Sequence, residues 1–130
     1  MKLTILRLTA LSEQDRIDLG KIWPDTDPAE LILNETHRLY AARFNDRLLG
    51  AVQVIRRGDR AQLAALCVRE VTRRRGVGQY LLEETLRDNA DIRGWHMEKR
   101  GTGDAAAMDA FMQALGFVND ENGWEKVREA

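Results

Sequence analysis

This sequence predicts an α/β domain built on a mixed, mostly antiparallel sheet flanked by helices, and three observations carry that expectation. Three strand-like runs follow one another with only short turns between them. Two helical segments come later, each followed by another strand-like run. And the chain does not alternate β and α from its start, as a doubly wound nucleotide-binding fold would. A chain of 130 residues is the length of one ordinary domain, expected to span residues 1–130.

The elements can be justified in order. Leu6, Leu8 and Ala10 alternate with Arg7 and Thr9, so the first strand is expected over Lys2 to Leu8. Ser12 with Asp15 three residues on is a helix start, and Leu19, Ile22 and Trp23 keep helical spacing. Pro24 ends that helix, because the residue before a proline disfavours helical angles. Asp27-Pro28 predicts a second, short helix, with Asp as cap and Pro in its first turn. "HRLYAARF" and "RLLGAVQVIRR" flank Asn45-Asp46, a hairpin turn, and "RAQLAALCVRE" follows a second turn at Gly58-Asp59. From Val77 the apolar stripe of Leu81, Leu82 and Leu86 predicts a helix. "IRGWHMEK" reads as a fifth strand. "DAAAMDAFMQALGF" reads as a helix capped by Asp104 and stopped by Gly116, and a hairpin around Asn122-Gly123 closes the chain. The expected order is β-α-α-β-β-β-α-β-α-β-β.

Composition narrows the function. Net charge is −1, so any anion-binding surface must be local, and whole-chain attraction to nucleic acid is not expected. Cys67 is the only cysteine, which leaves no intrachain disulfide; it lies in an apolar run and reads as a small core residue. Trp23, Trp95 and Trp124 read as packing residues. No segment has the apolar length to span a bilayer and the N-terminus is not a signal peptide, so the expected compartment is the cytoplasm. No metal site is expected.

The stretch "TRRRGVGQY" joins the end of a strand to the start of a helix. A helix N-terminus offers free N–H groups and a partial positive charge, which suits an anion such as phosphate. Gly76 and Gly78 let a ligand approach the backbone, and Arg73, Arg74 and Arg75 could add bidentate hydrogen bonds. Taken alone, the same residues also fit a tight turn beside a solvated basic run. The Gly-Lys-Ser/Thr of phosphate loops is missing, as are the third glycine and later acid of the dinucleotide fingerprint.

With the element order, Arg73-Arg74-Arg75-Gly76-Val77-Gly78 resembles the Gln/Arg-x-x-Gly-x-Gly/Ala signature of the GNAT acyltransferase superfamily, and "DAFMQALGF" resembles its late helix and Gly-Phe ending. The likeness covers almost the whole chain. It implies the GNAT fold and bound acetyl-CoA. On that resemblance Leu66, Cys67 and Val68 would pair with the pantetheine arm, and Thr72, Arg73, Arg74, Arg75, Gly76, Val77, Gly78 and Gln79 would hold the phosphates. Gly103, Asp104, Ala105 and Ala106 would lie beside the cofactor.

Acetyl transfer needs a base and a proton donor. Where many GNAT enzymes carry a tyrosine, four residues before the Gly of Gly-Phe, this chain has Met112, whose thioether cannot donate. Phe111 cannot either, and Tyr80 is on another helix. His96 and Glu98 are candidate bases, though a half-buried polar residue and a strand-end charge describe them as well. No catalytic residue is assigned. "MKLTILRL", "DRIDLGKIWP", "YAARFNDRLL", "REVTRRRGVGQYLLEE", "MQALGF" and "GWEK" together resemble the acetyl-CoA-binding regulators of aspartate 1-decarboxylase, a branch of the same superfamily. That likeness implies acetyl-CoA as effector and the decarboxylase as partner, both its pro-form and its processed form. It implies promotion of the self-cleavage that creates the pyruvoyl group, and so control of β-alanine, pantothenate and CoA synthesis. The alternative is an active N-acetyltransferase. On the hairpin, Arg43 and Asn45 offer planar hydrogen-bonding groups to a partner, and Arg73 could serve both cofactor and partner; Asn45 could equally serve only the turn.

Overall fold

The structure, a computed structural model, describes residues 3–23, 33–68, 76–98 and 105–127. The helix expected at Asp27-Pro28 lies outside them. Within them the order is β1 (Thr4–Leu8), α1 (Glu13–Ile22), β2 (His37–Phe44), β3 (Arg47–Arg57), β4 (Arg60–Val68), α2 (Val77–Asp88), β5 (Gly94–Glu98), α3 (Ala105–Ala114), β6 (Val118–Asn119) and β7 (Gly123–Val127). The strands form one sheet in the order β1-β2-β3-β4-β5-β7-β6. Every pairing is antiparallel except β4 with β5, which α2 joins as a crossover.

Local sequence explains most element ends. Ser12 Oγ accepts from the Asp15 amide at 3.1 Å and Asp15 Oδ2 accepts from the Ser12 amide at 3.2 Å, a complete capping box for α1. Asn45 and Asp46 both have positive φ, 53° and 62°, as a two-residue I′ hairpin requires. Gly116, at φ 91°, ends α3: the Phe117 amide bonds the Met112 carbonyl at 3.0 Å and the Gly116 amide that of Gln113 at 3.0 Å, a Schellman arrangement. Lys126 Nζ then donates to the Leu115 carbonyl at 2.9 Å.

Adjacent strand residues point to opposite faces, so the sheet has two cores. On one face α1 covers Leu39, Ala41, Leu48 and Ala51 with Leu19, Ile22 and Trp23. On the other, α2 and α3 bring Leu81, Leu82, Met112 and Phe117 onto Tyr40, Val52, Leu63, Trp95, Met97 and Trp124. All three tryptophans are buried, as expected of packing residues. The far end of α2 is tied down by polar groups. Tyr40 donates its hydroxyl proton to Asp88 and accepts from Asn89 Nδ2 at 2.9 Å, while Asn89 also bonds the Thr85 carbonyl at 2.7 Å. Burial first, then the Asp88 carboxylate, push the Tyr40 hydroxyl up, so it remains a donor at neutral pH.

Candidate functional site: a cleft beside β4 and a hairpin held by α1

The register of β4 opens the sheet. Ala51 pairs with Cys67 but Gln53 pairs with Ala64, so Val52 alone faces two residues, Ala65 and Leu66. That is a β-bulge, which bends and twists its strand. The parallel ladder with β5 runs only from Arg60↔Gly94 to Leu63↔Met97 and stops just before the bulge. Among the described residues, 64–68 continue beside β3 with no pairing to β5 on their other side, while β5 pairs with β7 from Gly94 to Glu98. No glycine or proline marks the bulge in "AALC", which is why sequence reasoning missed it.

Three elements approach one another near this opening. A Cβ on Gly78, in the first turn of α2, would lie 3.4 Å from Val68 Cγ2 and 3.4 Å from Phe111 Cζ. The end of β4, the start of α2 and the middle of α3 therefore meet at one point. Gly76 is the N-cap of α2 with left-handed angles, φ 74° and ψ 11°, and no side chain caps the helix. A Cβ there would meet nothing within 4 Å. An αL glycine followed by an uncapped helix start presents its amides to a ligand, and the glycine at 78 keeps that approach clear. The geometry could accept an anion at the helix start and an extended chain along residues 64–68. Thr72, Arg73, Arg74, Arg75, Gly103 and Asp104 lie outside the described residues. Ala105 and Ala106 open α3. Leu66 and Cys67 are half-buried, and Cys67 Sγ lies 3.2 Å from the Ile22 carbonyl.

A cavity of about 140 Å³ lies at the opposite end of β4 and β5, between Arg57, Arg60, Gln62 and His96. It is too small for a cofactor the size of CoA, which needs several hundred Å³.

The candidate catalytic residues are dispersed. Met112 is fully buried in the α2–α3 core, so the position where the resemblance would place the tyrosine of many GNAT enzymes holds an apolar side chain within packing. His96 Nε2 lies 3.9 Å from Asp120 at the β6–β7 turn, and Glu98 ends β5, exposed and opposite Gly123. Tyr80 is half-buried on α2.

The hairpin is more organised than its sequence suggests. Asn45 is exposed in the turn, while Arg43 is half-buried and its Nη2 donates to Asp15 at 3.2 Å. Asp18, fully buried on α1, accepts from Arg47 Nη2 at 2.7 Å, Arg47 Nε at 3.0 Å and the Leu48 amide at 3.0 Å. Burial pushes the Asp18 carboxyl up, but the Arg47 hydrogen bond, the Leu48 amide, Gln14 and the Arg47 charge together hold it below its ordinary value. A depressed carboxylate contributes stability that is complete above the unfolded pKa and lost as pH falls through the folded one. The Leu48 amide resonance should therefore keep its folded shift as pH is lowered past about 4, the ordinary carboxylate value; a titration midpoint at or above that value would show that Asp18 is not held ionised. The signal for this clasp was present but faint: Asp15 and Asp18 share the buried stripe of α1 with Leu19 and Ile22.

A family model described as "Acetyltransferase (GNAT) domain, PanZ" matches residues 2–125 of this chain. A protein of Salmonella typhimurium named PanD regulatory factor is 60% identical over 126 residues, which cover 97% of this chain and 99% of that protein. A PanD regulatory factor of Escherichia coli is 59% identical with the same coverage. The solution NMR structure of E. coli YhhK bound to coenzyme A superposes with a TM-score of 0.88 at 58% identity, covering 98% of this chain and 99% of that one. Together with the splayed β4, the αL glycine and the uncapped α2, these matches establish that the chain belongs to the PanZ family of GNAT domains.

Proposed function

We propose that this protein is an acetyl-CoA-dependent regulator of PanD, aspartate 1-decarboxylase, which binds the pro-form and promotes its self-cleavage to the pyruvoyl enzyme. The observation that carries this reading is the near-full-length identity of about three residues in five with proteins named PanD regulatory factor. The cleft supports the effector. Gly76, Val77, Gly78 and Gln79 would receive the phosphates with Arg73, Arg74 and Arg75, and residues 64–68 would receive the pantetheine arm, as an extended chain adds to a strand edge. The hairpin with Arg43 and Asn45 would meet the decarboxylase.

Self-cleavage through a chain's own serine needs one backbone geometry at the scissile bond. A partner that binds the reactive conformer better than the relaxed one accelerates the reaction without supplying a catalytic group. An effector acts only through its different affinity for the two states of the pair, so acetyl-CoA and decarboxylase must each tighten the binding of the other. Processed enzyme can be held by the same surface. The burial of Met112 supports regulation over acetyl transfer, because nothing at that position can protonate a departing thiolate.

The test is to mix the protein with purified pro-decarboxylase, with and without acetyl-CoA, and to follow chain cleavage by mass spectrometry. Cleavage that needs both additions is expected. A competent pro-form that stays intact in their presence would sink the proposal. Release of free CoA from acetyl-CoA and an amine substrate would favour the acetyltransferase instead.

A further inference from the structure

Two acids on the buried stripe of α1 converge on a single hairpin. Asp18 grips its far strand, through the Arg47 guanidinium and the Leu48 amide. Asp15 grips its near strand, through Arg43. Immediately behind those anchors, on the side away from the turn, the β2–β3 ladder is irregular: Ala42 pairs with Gly50 and Arg43 with Leu48, so Leu49 is an extra residue. A bulge beside a turn re-aims the tip, and its direction must then be fixed by something else. We infer that Asp15 and Asp18 are positioning residues for docking, which set the orientation of the hairpin tip and of the Arg43 guanidinium toward the decarboxylase. The inference rests on the function proposed above and adds two residues to it, which would act through the arginines they hold.

Energetics argue that the clasp is there for geometry. A buried ion pair costs desolvation of both charges, and apolar residues of like size commonly serve stability as well or better. Asp18 is 0% exposed and Asp15 6%. What the Asp18–Arg47 pair does give is direction, since two hydrogen bonds from one guanidinium fix the plane of both groups, while Asp15 holds Arg43 by Nη2. Arg43 is held incompletely. Its Nη2 reaches Asp15, yet its Nε is buried with no hydrogen-bond partner among the described residues, and its side chain is 34% exposed. A guanidinium has five N–H donors, so most of this one's capacity is left for an acceptor from outside, a carboxylate or a backbone carbonyl. The opposite end of α1 is anchored as well, because Cys67 of β4 donates its thiol proton to the carbonyl of Ile22, the last residue of the helix. One rigid helix thus holds the docking tip in a fixed relation to the strand that would carry the cofactor.

The experiment compares wild type, Asp15→Asn, Arg43→Ala and the double variant. For each, the concentration giving half-maximal acetyl-CoA-dependent cleavage of pro-decarboxylase is measured, with acetyl-CoA affinity by calorimetry. Asp15→Asn should raise that concentration about tenfold when Arg43 is present and less than about twofold when it is alanine, because the acid acts through the arginine. Acetyl-CoA affinity should not change. Ser12→Ala, which removes the same helix cap without touching Arg43, should leave cleavage near wild type. Equal losses in both Arg43 backgrounds, or a Ser12→Ala variant as impaired as Asp15→Asn, would reduce Asp15 to a stabilising cap and overturn the inference. So would an Asp15→Asn variant as active as wild type. If Asp15→Asn does not fold, Arg47→Gln opens the clasp from its exposed side and should show the same rise in concentration; unchanged activity there overturns the inference too. A wild type that promotes no cleavage would instead bring down the functional reading and this inference with it.

Discussion

Gly78→Glu should weaken coenzyme binding about a hundredfold while leaving the protein as stable as wild type or more so. Position 78 lies in the first turn of α2, where an acidic residue is favoured by the helix dipole by roughly 0.3–1 kcal/mol and where replacing glycine removes up to about 1 kcal/mol of helix penalty. The Cβ itself is tight but tolerable, 3.4 Å from Val68 Cγ2 and Phe111 Cζ. The carboxylate, however, enters the gap where the end of β4, α2 and α3 meet. If the diphosphate lies on the start of α2, a like charge within about 5 Å costs roughly 3 kcal/mol at an effective dielectric near 20. That is about a hundredfold in Kd. Calorimetric titration with CoA and a thermal melt on the same sample separate the two effects. Affinity within about threefold of wild type would place the phosphates elsewhere.

Gly123→Ala is the change expected to do most harm to the fold. Gly123 opens β7 and pairs with Glu98, and its φ is not in the left-handed region, so conformational freedom is not the reason glycine is there. Space is. A Cβ at 123 would sit 2.0 Å from the Met97 carbonyl oxygen and 2.9 Å from Glu98 Cα, both backbone atoms. Relief requires β5 and β7 to separate at the pairs Met97↔Trp124 and Glu98↔Gly123, and the fully buried Trp124 is next in sequence. A loss of about 4 kcal/mol or more belongs to this class of disruption, against a total stability of about 5–15 kcal/mol for a domain. The melting temperature and soluble yield should both collapse. Gly20→Ala is the control: it lies in α1 with nothing within 4 Å of its Cβ, and should be neutral or stabilising by up to about 1 kcal/mol. A normal melt for Gly123→Ala would show that β5 and β7 are not packed this closely.

Much of the fold was legible because its signals are local. The Ser12–Asp15 box, the Asn45-Asp46 turn and the Gly116-Phe117 stop each depend on residues within a few positions, and each stands where the sequence places it. The glycines of the helix start were legible for the same reason. What escaped is non-local. Asp15 and Asp18 meet Arg43 and Arg47 across 28 and 29 residues, and an acid on an apolar stripe looks like an exposed one until its partner arrives. The β4 bulge occurs among alanines, leucine and cysteine, with no residue that demands it. The insertion of β7 between β5 and β6 is a matter of pairing choice, which no periodicity records.

The splay of β4 also bears on how this protein behaves in crowded solution. Strand edges recruit other strands, and natural sheets blunt their margins. Here the outer margins are blunt already: β6 has two residues and β1 five, with Arg7 along it. Among the described residues, an interior run as long as β1, residues 64–68, also has no β5 pairing on one side. A ligand lying along that run would close the edge from within, so the acetyl-CoA proposed above as effector would also guard the protein against self-association.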